Sequence, residues 1–99
     1  MKGWTLKKKL FQPGQLVGTP EALEALGPAR VFEILVRHLS GDWGELSAAD
    51  KEENNLSVRE GFRILSAYWV DEADQFRGKV WVITEADRSS TCILRPDQY

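Results

Sequence analysis

An α+β domain is predicted, with two or three helices packed on one face of a three-stranded antiparallel sheet. Three observations carry this reading. Residues 62–96 alternate apolar and polar side chains in three runs, 62–70, 79–84 and 91–95, each rich in β-branched and aromatic residues. The segments 71–78 and 85–90 between them are polar and lack an apolar repeat, so both read as hairpin loops. Upstream, apolar residues recur at helical spacing, which places helices before the sheet.

In chain order, Lys2, Lys7, Lys8 and Lys9 make residues 1–13 a basic N-terminal segment, partly tag-like or frayed, and the single domain is expected over 14–99. Leu16 and Val17 suit a short fourth strand, Gln15–Gly18, able to pair at a sheet edge. Thr19-Pro20-Glu21 opens a helix, because threonine caps, proline suits the first helical position and a carboxylate favours the positive end. This helix is expected over 20–27, ending at Gly27. A second is expected over 28–40, where Val31, Phe32, Leu35, Val36 and Leu39 form the stripe that should pack on the sheet, while Arg30, Glu33 and Arg37 point away. On that placement, Phe32→Ala should cost roughly 3–5 kcal/mol. A glycine-rich turn at 40–44 leads to Ser47, whose spacing to Asp50 suits a cap for a short polar third helix over 47–54.

Composition limits the function classes. A chain of 99 residues with 42% hydrophobic residues holds one core and needs no staple. The single cysteine, Cys92, has no partner in the chain, and no Cys/His set has zinc spacing, which points to a reducing compartment and a cytoplasmic protein without cofactor or metal. No run of signal-peptide or membrane-span length is present. A net charge of −2 argues against affinity built on phosphate neutralisation, hence against a nucleic-acid partner. The charge is polarised, however. Between residues 42 and 60, six carboxylates stand against Lys51 and Arg59, a local net charge of −4.

The strings His38-Leu39-Ser40-Gly41-Asp42-Trp43-Gly44-Glu45-Leu46, Glu60-Gly61-Phe62-Arg63-Ile64-Leu65-Ser66-Ala67-Tyr68 and Trp81-Val82-Ile83-Thr84-Glu85-Ala86-Asp87-Arg88-Ser89-Ser90-Thr91 resemble a family of small uncharacterised bacterial proteins, often labelled plasmid-related. The resemblance covers residues 15–99. It implies a mobile-element setting and no chemistry. The lysine-rich start and the 71–77 loop depart from the family pattern.

His38, Asp42 and Glu45 include metal-ligand residue types, but a histidine at a helix C-terminus beside solvated acids is more simply an exposed residue compensating the helix dipole. Asp87 and Arg88, in the loop 85–90, have the chemistry to clamp a phosphate or carboxylate, although the same residues are ordinary turn formers. Of the four tryptophans, Trp69 and Trp81 suit cross-strand pairing, and Trp43 between two acids suits either a core ring or an exposed contact anchor. Cys92 suits a small buried strand residue.

The expected function is therefore a non-enzymatic interaction module that presents Asp42, Trp43, Glu45, Glu52 and Glu53 to a basic protein partner. The alternative follows from a resemblance of layout to RelE-type ribonuclease toxins, with Arg63, Tyr68, Lys79, Arg88 and Arg95 as cleavage-site candidates; the overall charge argues against it.

Overall fold

The structure, a computed structural model, describes residues 9–99; the expectation of a frayed basic start falls outside that range for residues 1–8. The chain runs β1 (Gln15–Gly18), α1 (Pro20–Leu39), α2 (Ala48–Glu60), β2 (Ile64–Trp69), β3 (Lys79–Thr84) and β4 (Ser90–Leu94), with single 3₁₀ turns at Gln75–Arg77 and Pro96–Gln98. The two antiparallel hairpins are present, pairing Leu65 with Ile83 and Ile83 with Cys92. The fourth strand is present at the expected Gln15–Gly18, and the sheet is mixed, in the order β1-β4-β3-β2, because β1 adds parallel to β4. Hairpin reasoning stops at three strands. The outer edge of β4 is open after the last hairpin, and a strand from the other end of the chain closes it.

Thr19 caps α1 through its side-chain oxygen, which accepts from the Ala22 N–H at 3.2 Å. The two expected helical arms are joined at a kink, where Gly27 takes φ 78° and ψ 162° ahead of Pro28. The buried face of the second arm differs from the expected stripe. Ile34 and His38 are fully buried, Val31, Leu35 and Val36 are half-buried, and Phe32 is 54% exposed. His38 is the cause: counted as polar it drops out of the apolar pattern, yet it finds partners in the core, and the Ile34–His38 ridge turns inward while Phe32 turns out. Arg30 and Arg37 do not point into solvent either. Arg30 donates to the Trp69 carbonyl at 2.7 Å, and the Arg37 guanidinium lies 4.8 Å over the Tyr68 ring.

Helix α2 is capped as expected, with the Ser47 hydroxyl accepting from Asp50 N–H at 3.1 Å, but it continues to Glu60 and stops at Gly61 in the left-handed region. Its buried residues are polar, Asn54 and Ser57, so no apolar stripe announced its length. It borders the outer edge of β2 instead of sharing α1's sheet face. Asn54 donates to Leu65 O at 2.7 Å and accepts from Leu65 N–H at 3.3 Å, acting on the strand as a neighbouring backbone amide would.

One core cluster lies between α1 and the sheet and includes Ala22, Ile34, Tyr68, Val80, Val82 and Ile93. A second joins Phe11, Leu39, Trp43 and Ile64. Phe11 was expected in a frayed segment; instead it is buried, and Leu10 N–H donates to the Leu39 carbonyl at 2.9 Å, so the chain is tied down from Leu10 onward.

Candidate binding surface

The acidic segment begins in the loop after α1. Trp43 and Glu45 run alongside β2, the Ala67 N–H donating to Trp43 O at 3.3 Å and the Glu45 N–H donating to Ala67 O at 2.7 Å. Gly44 makes this approach possible, since a Cβ there would overlap the Ala67 carbonyl, and its φ is 75°. Trp43 is only 3% exposed: its ring stacks 6.3 Å from Phe11, meets His38 edge-on at 5.9 Å, and donates from Nε1 to Asn55 Oδ1 at 3.0 Å. The reading of Trp43 as an exposed contact anchor is thereby corrected; the ring fills the second core cluster.

The carboxylates divide into two kinds. Asp42 is engaged within the fold, accepting from Arg37 Nε at 2.8 Å and from the Arg37 terminal nitrogen at 3.3 Å, and Arg37 also reaches Glu72, which Arg30 holds at 3.1 Å. Partial burial works to raise the Asp42 carboxyl, but the hydrogen bonds and charge of Arg37 prevail and hold it below the usual carboxylate range. Glu45, Asp50, Glu52 and Glu53 are exposed and form no ion pair among the described residues. Asp50 and Glu53 flank a cleft of about 330 Å³ between α2 and β2, floored by Leu46 and Leu65 and closed by Asn54. Glu52 borders the adjoining groove along α2 with Leu56 and Arg59.

The 85–90 loop is built for structure. Arg88, at φ 60°, donates to the carbonyls of Phe62 at 2.7 Å, Glu85 at 3.1 Å, Ala86 at 3.2 Å and Ser57 at 2.9 Å, and its guanidinium covers Phe11 at 5.5 Å. These contacts hold both terminal nitrogens against carbonyls of the fold, so Arg88 braces the loop against Phe62 and Ser57. Asp87 accepts from Ser89 N–H at 3.0 Å, and hydrogen bonds from the Ser89 side chain and then its backbone lower the Asp87 pKa.

The least expected feature is a chain of buried polar groups. His38 Nδ1 lies 2.6 Å from Ser66 Oγ and its Nε2 lies 2.9 Å from Thr84 Oγ1; Thr84 Oγ1 is 2.7 Å from Thr91 Oγ1, and Thr91 donates to the Pro13 carbonyl at 2.7 Å. All four side chains are essentially unexposed. Each hydroxyl has one proton, so the direction follows from the carbonyl end as far as the imidazole: Thr91 donates to Pro13, Thr84 to Thr91, and His38 Nε2–H to Thr84. Burial pushes the His38 pKa down to about 3 and keeps the ring neutral, so Nδ1 accepts from Ser66. His38 is neither an exposed dipole-compensating residue nor a metal ligand, because both ring nitrogens are committed. The Ser66–His38 contact matches a nucleophile–base pair in distance, but both residues are sealed from solvent and no substrate reaches them. Asn54 and this network were missed from sequence. The one available signal was that Ser66, Thr84 and Thr91 occupy inward positions of their strands, where polar residues need a partner.

The ribonuclease candidates do not share one face of the sheet. Tyr68 is buried beneath α1 and donates to the Asp42 carbonyl at 2.7 Å, whereas Lys79 is on the opposite sheet face over Trp69. Arg63 is hydrogen-bonded to Tyr99, and Arg95 reaches Asp97 at 3.6 Å. Among the described residues, no helix is long and apolar enough to cross a membrane. No protein-family model matches the chain, and no curated protein or solved structure matches it.

Proposed function

We propose that the protein is a non-enzymatic binding module of a mobile genetic element, working in the cytoplasm, and that its α2–β2 cleft receives a basic amphipathic segment of a protein partner. The observation that carries this reading is the cleft itself: Leu46 and Leu65 offer an apolar floor, Asp50 and Glu53 a negative rim, and neither acid is neutralised by an ion pair among the described residues. An apolar stem ending in a positive head, as in lysine or arginine, matches both parts. Glu45 and Glu52 extend the negative field beyond the rim and would steer such a partner during approach. Asp42 and Trp43 hold the loop beside the cleft and contribute through its shape.

The test is affinity purification from the native host, comparing the wild type with an Asp50→Asn/Glu53→Gln variant. A basic partner should be recovered by the wild type, weaken as salt rises, since exposed charges are screened within about 8 Å at physiological ionic strength, and be lost from the variant. A partner retained equally by both proteins at every salt concentration would refute the cleft as the contact.

A further inference from the structure

The two edges of the sheet are treated in opposite ways. The outward backbone groups of β2 are taken by Asn54 and by the 43–45 loop. No described residue covers β1. Gln15 N–H donates to Ser89 O at 3.0 Å and Thr19 N–H to Ile93 O at 2.9 Å, so the odd-numbered residues turn their backbone toward β4. Strand alternation leaves the N–H and C=O of Leu16 and Gly18 facing outward. The side chains here are open as well: Leu16 is 53% exposed, Val17 41% and Leu23 39%. Between β1 and α1 runs an apolar groove of about 200 Å³, with Val31 and Leu35 along its helical wall. Phe32 projects over the same edge, because Arg30 and Arg37 mark the helix flank above β2 and Phe32 is about 200° round from Arg30 at 100° per residue.

We infer that this edge is the interface of a homodimer, in which β1 of one copy pairs antiparallel with β1 of a second about a two-fold axis at Val17. The register is self-complementary. Leu16 falls opposite Gly18 of the second copy, and the outward groups of these residues form four hydrogen bonds across the axis. The space over Gly18 is taken by the Leu23 side chain, so the opposing Leu16 meets an apolar side chain of α1 there, and the two Val17 side chains meet at the axis. Charge selects the same occupant. Residues 10–20 contain no charged side chain, so two copies meet without like-charge repulsion, while a strongly basic or acidic partner finds no complement here. The contact also covers the part of α1's apolar face that overhangs the sheet, including Phe32. It lies at the edge opposite the acidic cleft, and the two surfaces are tested separately.

Sedimentation equilibrium from micromolar to millimolar concentration should show a reversible dimer. Leu16→Pro removes one outward N–H and leaves the β4 ladder intact, and Phe32→Asp places a charge in the contact; each should weaken dimerisation at least about tenfold. Far-UV circular dichroism and urea midpoints measured on dilute protein verify folding, and Phe32→Asp, at an exposed site, keeps the test decisive if Leu16→Pro does not fold. Register is read by cross-linking in a Cys92→Ala background: Val17→Cys should oxidise to a covalent dimer, since Cα atoms in such a pair lie about 4.5 Å apart, while Gln15→Cys should not. A wild type that stays monomeric throughout overturns the homodimer and leaves the groove to an extended segment of another protein. A dimer indifferent to both substitutions, or one that Val17→Cys does not cross-link, overturns the edge assignment.

Discussion

Lowering the pH from 6.5 to 5 should destabilise this protein, and the cause is one side chain, His38. His38 is neutral in the fold, with its pKa pushed to about 3 by burial, whereas in the unfolded chain it titrates near 6.5. The folded value is the lower one, so the unfolded state binds the extra proton. The stability of the neutral form is complete above pH 6.5, declines as pH falls from 6.5 toward 3, and changes no further below that. Linkage sets the size: the loss approaches about 1.4 kcal/mol per pH unit and amounts to about 2 kcal/mol by pH 5. Asp42 and Asp87 are held below the usual carboxylate range. The assay is a series of urea melts between pH 7.5 and 5 on the wild type and on His38→Gln, whose amide can accept from Ser66 and donate to Thr84 but has no proton to gain. The wild type should lose stability along the stated curve, and His38→Gln should be flat whatever its absolute stability. A flat wild-type profile, or a His38 resonance titrating above pH 5 by NMR, would refute the sealed neutral network.

Three further outcomes follow from the packing. Ile34→Ala should cost about 2–5 kcal/mol in a urea melt, whereas Phe32→Ala on dilute protein should stay within about 0.5 kcal/mol; a reversal would mean that α1 is rotated about its axis. Asn54→Ala should cost about 1–3 kcal/mol, because it leaves the Leu65 N–H and C=O unpaired, and faster amide exchange at Leu65 should accompany the loss. Arg88→Ala should destabilise by about 2 kcal/mol, with Arg88→Lys failing to restore stability because one ammonium cannot reach four carbonyls in a fixed fork; full rescue by lysine would show that charge alone matters there.

What was legible in the sequence is what neighbouring residues decide among themselves. The two hairpins rest on alternation and on polar turns between adjacent runs, the helix starts at Thr19 and Ser47 on side chains that bond backbone three residues on, and the kink at Gly27-Pro28 on two residues with unusual backbone rules. The loop 85–90 was legible as a turn for the same reason, while the use of Arg88 was not, since two of its carbonyl partners, Ser57 and Phe62, come from elsewhere in the chain. Only the tertiary structure decided that β1 joins β4, a pairing across about seventy-five residues that no local pattern encodes. Only it could bury Trp43 and His38: a histidine's burial depends on whether hydroxyls from distant strands satisfy both ring nitrogens, and Ser66 and Thr84 do so from 28 and 46 residues away. The exposure of Phe32 follows from that same contact, because a helix resting on a sheet has one orientation to give, and a satisfied polar ridge that turns inward carries the neighbouring apolar ring out.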